Sequence, residues 1–153
     1  MQNTTSFEEM YKKFLSKVQD FKMKNLFLNN ANVATELCRE FLNKAIAKFT
    51  CCKKDILHVN ETLGCFNVEL DIVEKDILSS LMVEAWLDRL CLDVTQMGLT
   101  LQDTDFRHYA EAQNLDKKTM VRDEIREINA QDMWNYSFSN TDFSEWASGN
   151  YPL

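Results

Sequence analysis

The chain has 153 residues, 45% of them hydrophobic, and a net charge of −7 from 17 basic and 24 acidic residues. This length matches one domain of ordinary size that can bury a substantial core. Three Gly and one Pro are too few for the turns of a many-stranded β sandwich or barrel, so helices are favoured. The basic residues cluster no further than pairs such as Lys117-Lys118, which argues against sequence-specific binding of nucleic acid.

The cysteines and the apolar runs bear on the compartment of the protein. Five cysteines are an odd number, and free thiols account for them more simply than disulfides do. The first twenty residues are amphipathic and charged rather than a secretory signal. No apolar run approaches the ~18 residues that a membrane span requires. We therefore expect no membrane span, and a protein made in a reducing cytoplasm or in a particle assembled there.

Two amphipathic helices are predicted in the first third of the chain, over residues 6–23 and 33–49. Thr5-Ser6-Phe7-Glu8 has the spacing of a capping box, in which the Thr5 hydroxyl would cap the first helix. Apolar residues then recur at intervals of three and four, as on one face of a helix. The break at Asn29-Asn30 is short, which favours an antiparallel helical hairpin.

Residues 50–70 are the least regular part of the sequence. Residues 65–70 alternate between apolar and polar side chains, as a short strand does. Residues 56–59 offer a second extended piece across a turn that ends at Gly64. We expect a small β ribbon inserted among the helices.

A third helix, over residues 71–97 and ended by Gly98, is apolar around most of its circumference. Ile77, Leu78 and Leu81 occupy one side, whereas Val83, Leu87 and Leu90 fall on the other. One partner surface cannot cover both sides. Either other helices of the chain pack on both, or a neighbouring subunit covers Val83, Leu87 and Leu90, which we take as a candidate subunit interface.

The last predicted helix covers residues 107–135 and has only a narrow apolar stripe of Val121, Ile125 and Ile128 among charged residues. We expect it to lie on the surface or project from it. Residues 137–153 then lack any helical or strand period. We therefore divide the chain into a helical domain, residues 1–136, and an extended arm, residues 137–153.

The arm contains four aromatic residues in a polar background. Such residues are anchors when they enter a groove of a partner. An arm that folds back on its own domain is an equally good interpretation. The candidate partner-binding residues of the arm are Phe138, Phe143, Trp146 and Tyr151.

No catalytic, metal or cofactor site is predicted. Cys51-Cys52, His58 and Cys65 are zinc-ligand types, yet the adjacent cysteines lack the two-residue gap that lets both sulfurs face one metal. His58 and His108 are the only two histidines available to a cysteine nucleophile, and neither lies in a recognisable signature.

An acidic cluster precedes and begins the third predicted helix. Its carboxylates could serve acid-base chemistry or a hard metal, but acidic residues at a helix N-terminus are what the helix dipole favours. We therefore expect a protein that is not an enzyme and has no cofactor. The cluster consists of Glu69, Asp71, Glu74 and Asp76.

A resemblance is carried by the order and spacing of motifs in residues 66–136. Leu81-Met82 and Trp86-Leu87 form the first motif, and Asp105-Phe106, Tyr109, Ala112 and Leu115 form the second, followed by a charged helix. In this order they resemble small helical neck proteins of tailed bacteriophages, the head-to-tail connectors or adaptors. Ala110 stands where that group has a serine. The residues that carry the resemblance most directly are Leu81, Met82, Trp86, Asp105, Phe106 and Tyr109.

The resemblance implies a structural virion protein, located in the neck and assembled in the host cytoplasm. Its partners would be further copies of itself in a ring, as a rule a dodecamer, the portal protein above, and further neck or tail proteins below. DNA would pass through the ring without sequence-specific contacts, and an acidic balance suits such a channel. The alternative is a non-virion oligomeric helical adaptor, and a cysteine- or zinc-dependent hydrolase is a more distant third.

Overall fold

Helices make up most of the chain in the computed structural model, which describes residues 4–18, 21–100 and 105–139, with side chains for 4–18, 23–93 and 114–139. This confirms the predicted all-α bundle with a ribbon insertion. Among the described helices, none combines the length and the hydropathy that crossing a membrane requires. In chain order the elements are α1 Phe7–Lys17, α2 Phe21–Asn29, α3 Ala31–Lys48, β1 Val59–Asn60, β2 Cys65–Phe66, α4 Ile72–Thr100 and α5 Asp105–Ser139.

The single first helix predicted over residues 6–23 is wrong, because two helices occupy this region. The backbone leaves helical geometry at Val18, with φ −109° and ψ 113°, while the Val18 side chain stays in the core. The apolar spacing therefore continues across the break and conceals it.

The cap of α1 also differs from the prediction. The hydroxyl of Ser6, not of Thr5, accepts a hydrogen bond from the Glu9 amide at 3.2 Å. Thr5 is buried instead, where its hydroxyl accepts from the Leu70 amide at 2.9 Å. The capping motif thus lies one residue further along the chain than predicted.

α4 lies at the centre of the bundle, against α1, α3 and α5, and α2 packs on α3. Other helices of the same chain therefore pack on several sides of α4. This agrees with the first of the two explanations offered for its broad apolar surface, in which the chain covers that surface itself. Gly98 does not end α4, which continues to Thr100, and α5 extends to Ser139. Phe14, Phe41, Phe49, Phe66, Leu78, Leu81 and Met82 are among the fully buried residues of the core.

The ribbon is confirmed in a shorter form, with Val59 opposite Phe66 and Asn60 opposite Cys65. Gly64 precedes β2 with φ 62°, a left-handed conformation that glycine adopts without strain. Its carbonyl accepts the Phe7 amide at 2.8 Å. The Phe7 and Phe66 rings meet edge to face at 5.4 Å. The ribbon therefore closes the N-terminal end of α1.

Candidate functional site

The interface between α4 and α5 is a polar seam, formed by side chains that recur every three or four residues on each helix. Such spacing places each set on one helical face. The Arg126 Nη2 lies 3.1 Å from an Asp88 carboxylate oxygen, and the Arg122 Nε lies 3.8 Å from the same oxygen. The seam consists of the side chains of Glu84 and Asp88 on α4 with Arg122, Arg126 and Asn129 on α5. The Asn129 amide also donates to the backbone carbonyl of Ser80 at 3.3 Å.

Glu84 is buried at the centre of this seam. One carboxylate oxygen accepts from the Lys48 ammonium at 2.6 Å and from the Arg126 Nε at 2.9 Å. The other accepts from the Asn129 amide at 3.1 Å. Burial raises the pKa of the Glu84 carboxyl, but these hydrogen bonds outweigh burial and hold the pKa below its ordinary value. A carboxylate with this many donors is a structural tie between α3, α4 and α5.

Glu74 is a second buried carboxylate, at the N-terminus of α4. Glu74 and Asp71 exchange side-chain to amide hydrogen bonds of 2.8 Å each, the reciprocal arrangement of a capping box. Lys54 donates to Glu74 at 2.7 Å, and the Tyr136 hydroxyl donates at 2.8 Å. The predicted structural role is thus confirmed for these two acidic residues, and Tyr136 fastens the C-terminal end of α5 to the start of α4.

The polar seam occupies the side of α5 that packs on α4, and the apolar stripe lies partly exposed beside it. Val121 and Ile128 are each 48% exposed, and Ile125 between them is half-buried. On the same helix Trp134 is 61% exposed, and its ring lies 4.5 Å from that of Phe138. Trp134 and Phe138 lie on a different face from the stripe, since six residues of helix separate Trp134 from Ile128 by about 120° around the axis. The partly exposed apolar residues of the stripe are a candidate surface for contact with another protein.

A groove continues this stripe toward the C-terminal end of α5. It has a volume of about 430 Å³ and is lined by Ile72 and Val73 of α4 and by Asp132, Asn135 and Ser139 of α5, among others. Ile72 is 80% exposed. We use the term α5 edge for the surface formed by Val121, Ile125, Ile128, Ile72 and Val73.

The candidate subunit-interface residues have different environments. Leu87 is buried within the chain, whereas Val83 and Leu90 are half-buried. Their role at a subunit interface stays a prediction.

The motif residues divide between the core and α5. Leu81 and Met82 are fully buried and Trp86 is half-buried against the core. Asp105, Phe106 and Tyr109 belong to the first turns of α5, and their side chains lie outside the described residues. Two of the motif positions thus have a packing role, which is sufficient by itself to explain them.

Of the four aromatic residues of the predicted arm, the structure describes one, Phe138. Phe138 belongs to α5, which continues three residues past the predicted domain boundary. Phe143, Trp146 and Tyr151 lie outside the described residues. An arm would therefore start after Ser139.

The residues considered for zinc do not converge. Within the described ranges no group of three or more His, Cys, Asp or Glu side chains could hold a metal ion. Cys51 and Cys52 follow α3, Cys65 is buried on β2, and all are free thiols. The His58 Nδ1 lies 2.8 Å from Asp55.

Two of the cysteines, Cys38 and Cys52, have thiols with a raised pKa. Burial raises the pKa of Cys38 to about 11 and also raises the pKa of Cys52. A raised pKa lowers the thiolate fraction on which cysteine chemistry depends. These two cysteines therefore have no sign of activation.

Comparison of the chain with protein-family models, with curated proteins and with solved structures found no match.

Proposed function

We propose that this chain is a structural subunit of a protein assembly, and that the assembly is the neck of a tailed bacteriophage. In this proposal copies of the chain form a ring that docks on the portal and continues the DNA channel toward the tail. The neck itself rests on the order and spacing of the motifs in residues 66–136. The observation that carries the broader role is the α5 edge.

The α5 edge supports assembly because Val121 and Ile128 leave about half of their surface exposed and Ile72 leaves most of it exposed. The seam of ion pairs and the Glu74 to Tyr136 hydrogen bond already hold α5 on α4. Val121, Ile128 and Ile72 therefore expose apolar area that a partner can remove from water.

The same observations disfavour chemistry at the two buried carboxylates. Glu74 and Glu84 are buried, and each accepts three hydrogen bonds from amide, ammonium, guanidinium or hydroxyl donors. A general base needs a free lone pair directed at a substrate. Glu74 is 1% exposed and Glu84 is 2% exposed, so neither carboxylate faces a surface that a substrate could reach, and holding helices together accounts for both.

Location in the particle tests the proposal. The phage whose genome encodes the chain is grown, its particles are purified, and the copy number of the chain per particle is measured by quantitative mass spectrometry. The proposal predicts ~12 copies, the ring size implied by the resemblance, as a closed ring of identical subunits requires a fixed number. Particles without the chain contradict it.

A non-virion oligomeric adaptor is the second candidate, favoured by the exposure of the α5 edge alone. In that case the chain remains in the soluble cell fraction as a small oligomer, and purified particles lack it. The same fractionation therefore separates the two candidates.

A further inference from the structure

We infer that the free chain forms a symmetric dimer in which the α5 edges of two copies pack antiparallel to each other. The occupant of this surface is thus a second copy of the same chain. The inference goes beyond the proposed neck role and does not depend on it. It rests on the apolar stripe of α5 and on the distribution of charge along that helix.

The apolar stripe is symmetric about its own centre. Ile125 lies close to the midpoint between Val121 and Ile128, seven residues apart on one face of the helix. An antiparallel twofold pairing about this midpoint places Val121 of one copy opposite Ile128 of the second copy, and repeats that contact by symmetry. Twofold contacts of this self-complementary kind are the commonest in soluble oligomers.

The flanking charges favour the antiparallel direction. Lys117 precedes the stripe and Asp132 follows it. They are fifteen residues, or ~22 Å, apart on one helix, too far to pair within one copy. About the same midpoint, Lys117 of one copy lies opposite Asp132 of the second copy at both ends of the interface. A parallel pairing would instead bring each of these charges against its own kind.

One like-charge contact opposes the dimer. Glu124 lies near the twofold axis and is exposed, so the two copies of Glu124 approach each other across water, which screens them. The Val121 to Ile128 contact and the Lys117 to Asp132 contact each occur twice, whereas the Glu124 contact occurs once.

The dimer is expected to be weak. The overlap covers about residues 114–135, ~33 Å of helix, and a single helix pair buries less than the ~1,600 Å² of a standard stable interface. A twofold contact uses the same surface of both copies, so it joins two copies and no more. A ring instead repeats one head-to-tail contact between successive copies. The dimer is therefore a state of the free chain, and its dissociation exposes the α5 edge.

Sedimentation equilibrium of the purified full chain, measured over a wide concentration range, tests the inference. The wild type should show a monomer to dimer equilibrium, and Ile128→Glu should weaken it at least ~10-fold by placing a charge in both apolar contacts. The matched control is Leu63→Glu. Leu63 is 74% exposed beside the ribbon, away from α5, so the control should dimerise like the wild type. Circular dichroism checks that each variant is folded.

A charge exchange tests the direction of pairing. Lys117→Glu and Asp132→Lys should each weaken the dimer by ~3-fold or more, and the double variant should recover to within ~2-fold of the wild type, since it restores opposite charges across the interface. A wild type that stays monomeric at ~1 mM overturns the inference. So does a double variant weaker than both single variants.

These outcomes are distinct from those of the proposed function. A monomeric chain found in the neck of the particle removes the dimer and leaves the neck role standing. A dimeric chain that is absent from particles supports the dimer and removes the neck role.

Discussion

At the scale of single residues, buried carboxylates hold the helices together. Glu84 joins Lys48 of α3 to Arg126 of α5, and Glu74 joins Lys54 to Tyr136. Both cations that contact Glu84 keep nearly half of their side chains in water, 45% for Lys48 and 48% for Arg126. The cost of desolvation therefore falls mainly on the Glu84 carboxylate, and the hydrogen bonds that this carboxylate accepts offset that cost.

We predict that Glu84→Gln destabilises the fold by ~2 kcal/mol. Loss of one partner of a fully buried ion pair costs ~3–5 kcal/mol, and the half-exposed cations reduce this because water can solvate them again. Urea denaturation measures the loss. The control Glu8→Gln removes an exposed i, i+4 pair with Lys12 and should cost less than ~0.5 kcal/mol. Equal losses for both variants would contradict the role of Glu84.

The lowered pKa of Glu84 predicts how that stability depends on pH. A carboxyl whose pKa is lower in the folded chain than in the unfolded chain contributes stability above the unfolded pKa, which is ~4.3. This contribution is lost as the pH falls through the lower folded value. The difference in unfolding free energy between wild type and Glu84→Gln should be constant from pH 6 to 7 and shrink below ~pH 4. A difference that grows on acidification would show that the pKa is raised instead.

At the scale of elements, the spacing of apolar residues predicted most of the helices. It did not predict a helix end where the backbone changes direction while the apolar spacing continues. Val18 is buried, as it would also be if one helix continued through it. The spacing of apolar residues therefore does not reveal that α1 ends there. Glycine is common just after the last residue of a helix, yet α4 continues past Gly98 to Thr100. A glycine inside a helix costs only ~1 kcal/mol of stability, which other contacts can offset. The ribbon was predictable, since its alternation and its Gly64 turn are local.

The turn of the ribbon gives an element-scale prediction. Gly64→Ala should destabilise the fold by ~1 kcal/mol, because a side chain disfavours φ 62°. A Cβ there would be 3.8 Å from the Phe7 ring, ordinary contact, so the cost is one of backbone conformation. Gly64→Asn should cost less than Gly64→Ala, since asparagine tolerates left-handed geometry better. Thermal denaturation of both variants measures the order, and the reverse order would contradict this explanation.

At the scale of the whole molecule, the candidate site was only half predictable. The stripe of Val121, Ile125 and Ile128 was evident in the sequence, but the direction it faces was not. That direction depends on Arg126, whose partners Glu84 and Asp88 are 42 and 38 residues away, and no local period records such pairing. The contribution of Ile72 to the same surface was missed for the same reason.

The predicted arm can be tested by truncation at the end of α5. Removal of residues 140–153 should leave the bundle folded, with a thermal midpoint within ~3 °C of the wild type, because Tyr136 and the polar seam lie before the cut. The truncated chain should fail to enter its assembly, since Phe143, Trp146 and Tyr151 are its proposed anchors. Circular dichroism and incorporation into particles measure the two effects. Unfolding on truncation would assign these aromatics to the core, and normal incorporation would make them dispensable.

The central proposal, that this chain is a ring subunit of a phage neck, is tested most directly by electron cryomicroscopy of a phage particle whose genome encodes the chain. If the chain is such a subunit, the map should show a ring between portal and tail into which the helices α1 to α5 fit, with repeated contacts between identical neighbours. A neck map with every density assigned to other proteins, from particles that lack this chain by mass spectrometry, would contradict it.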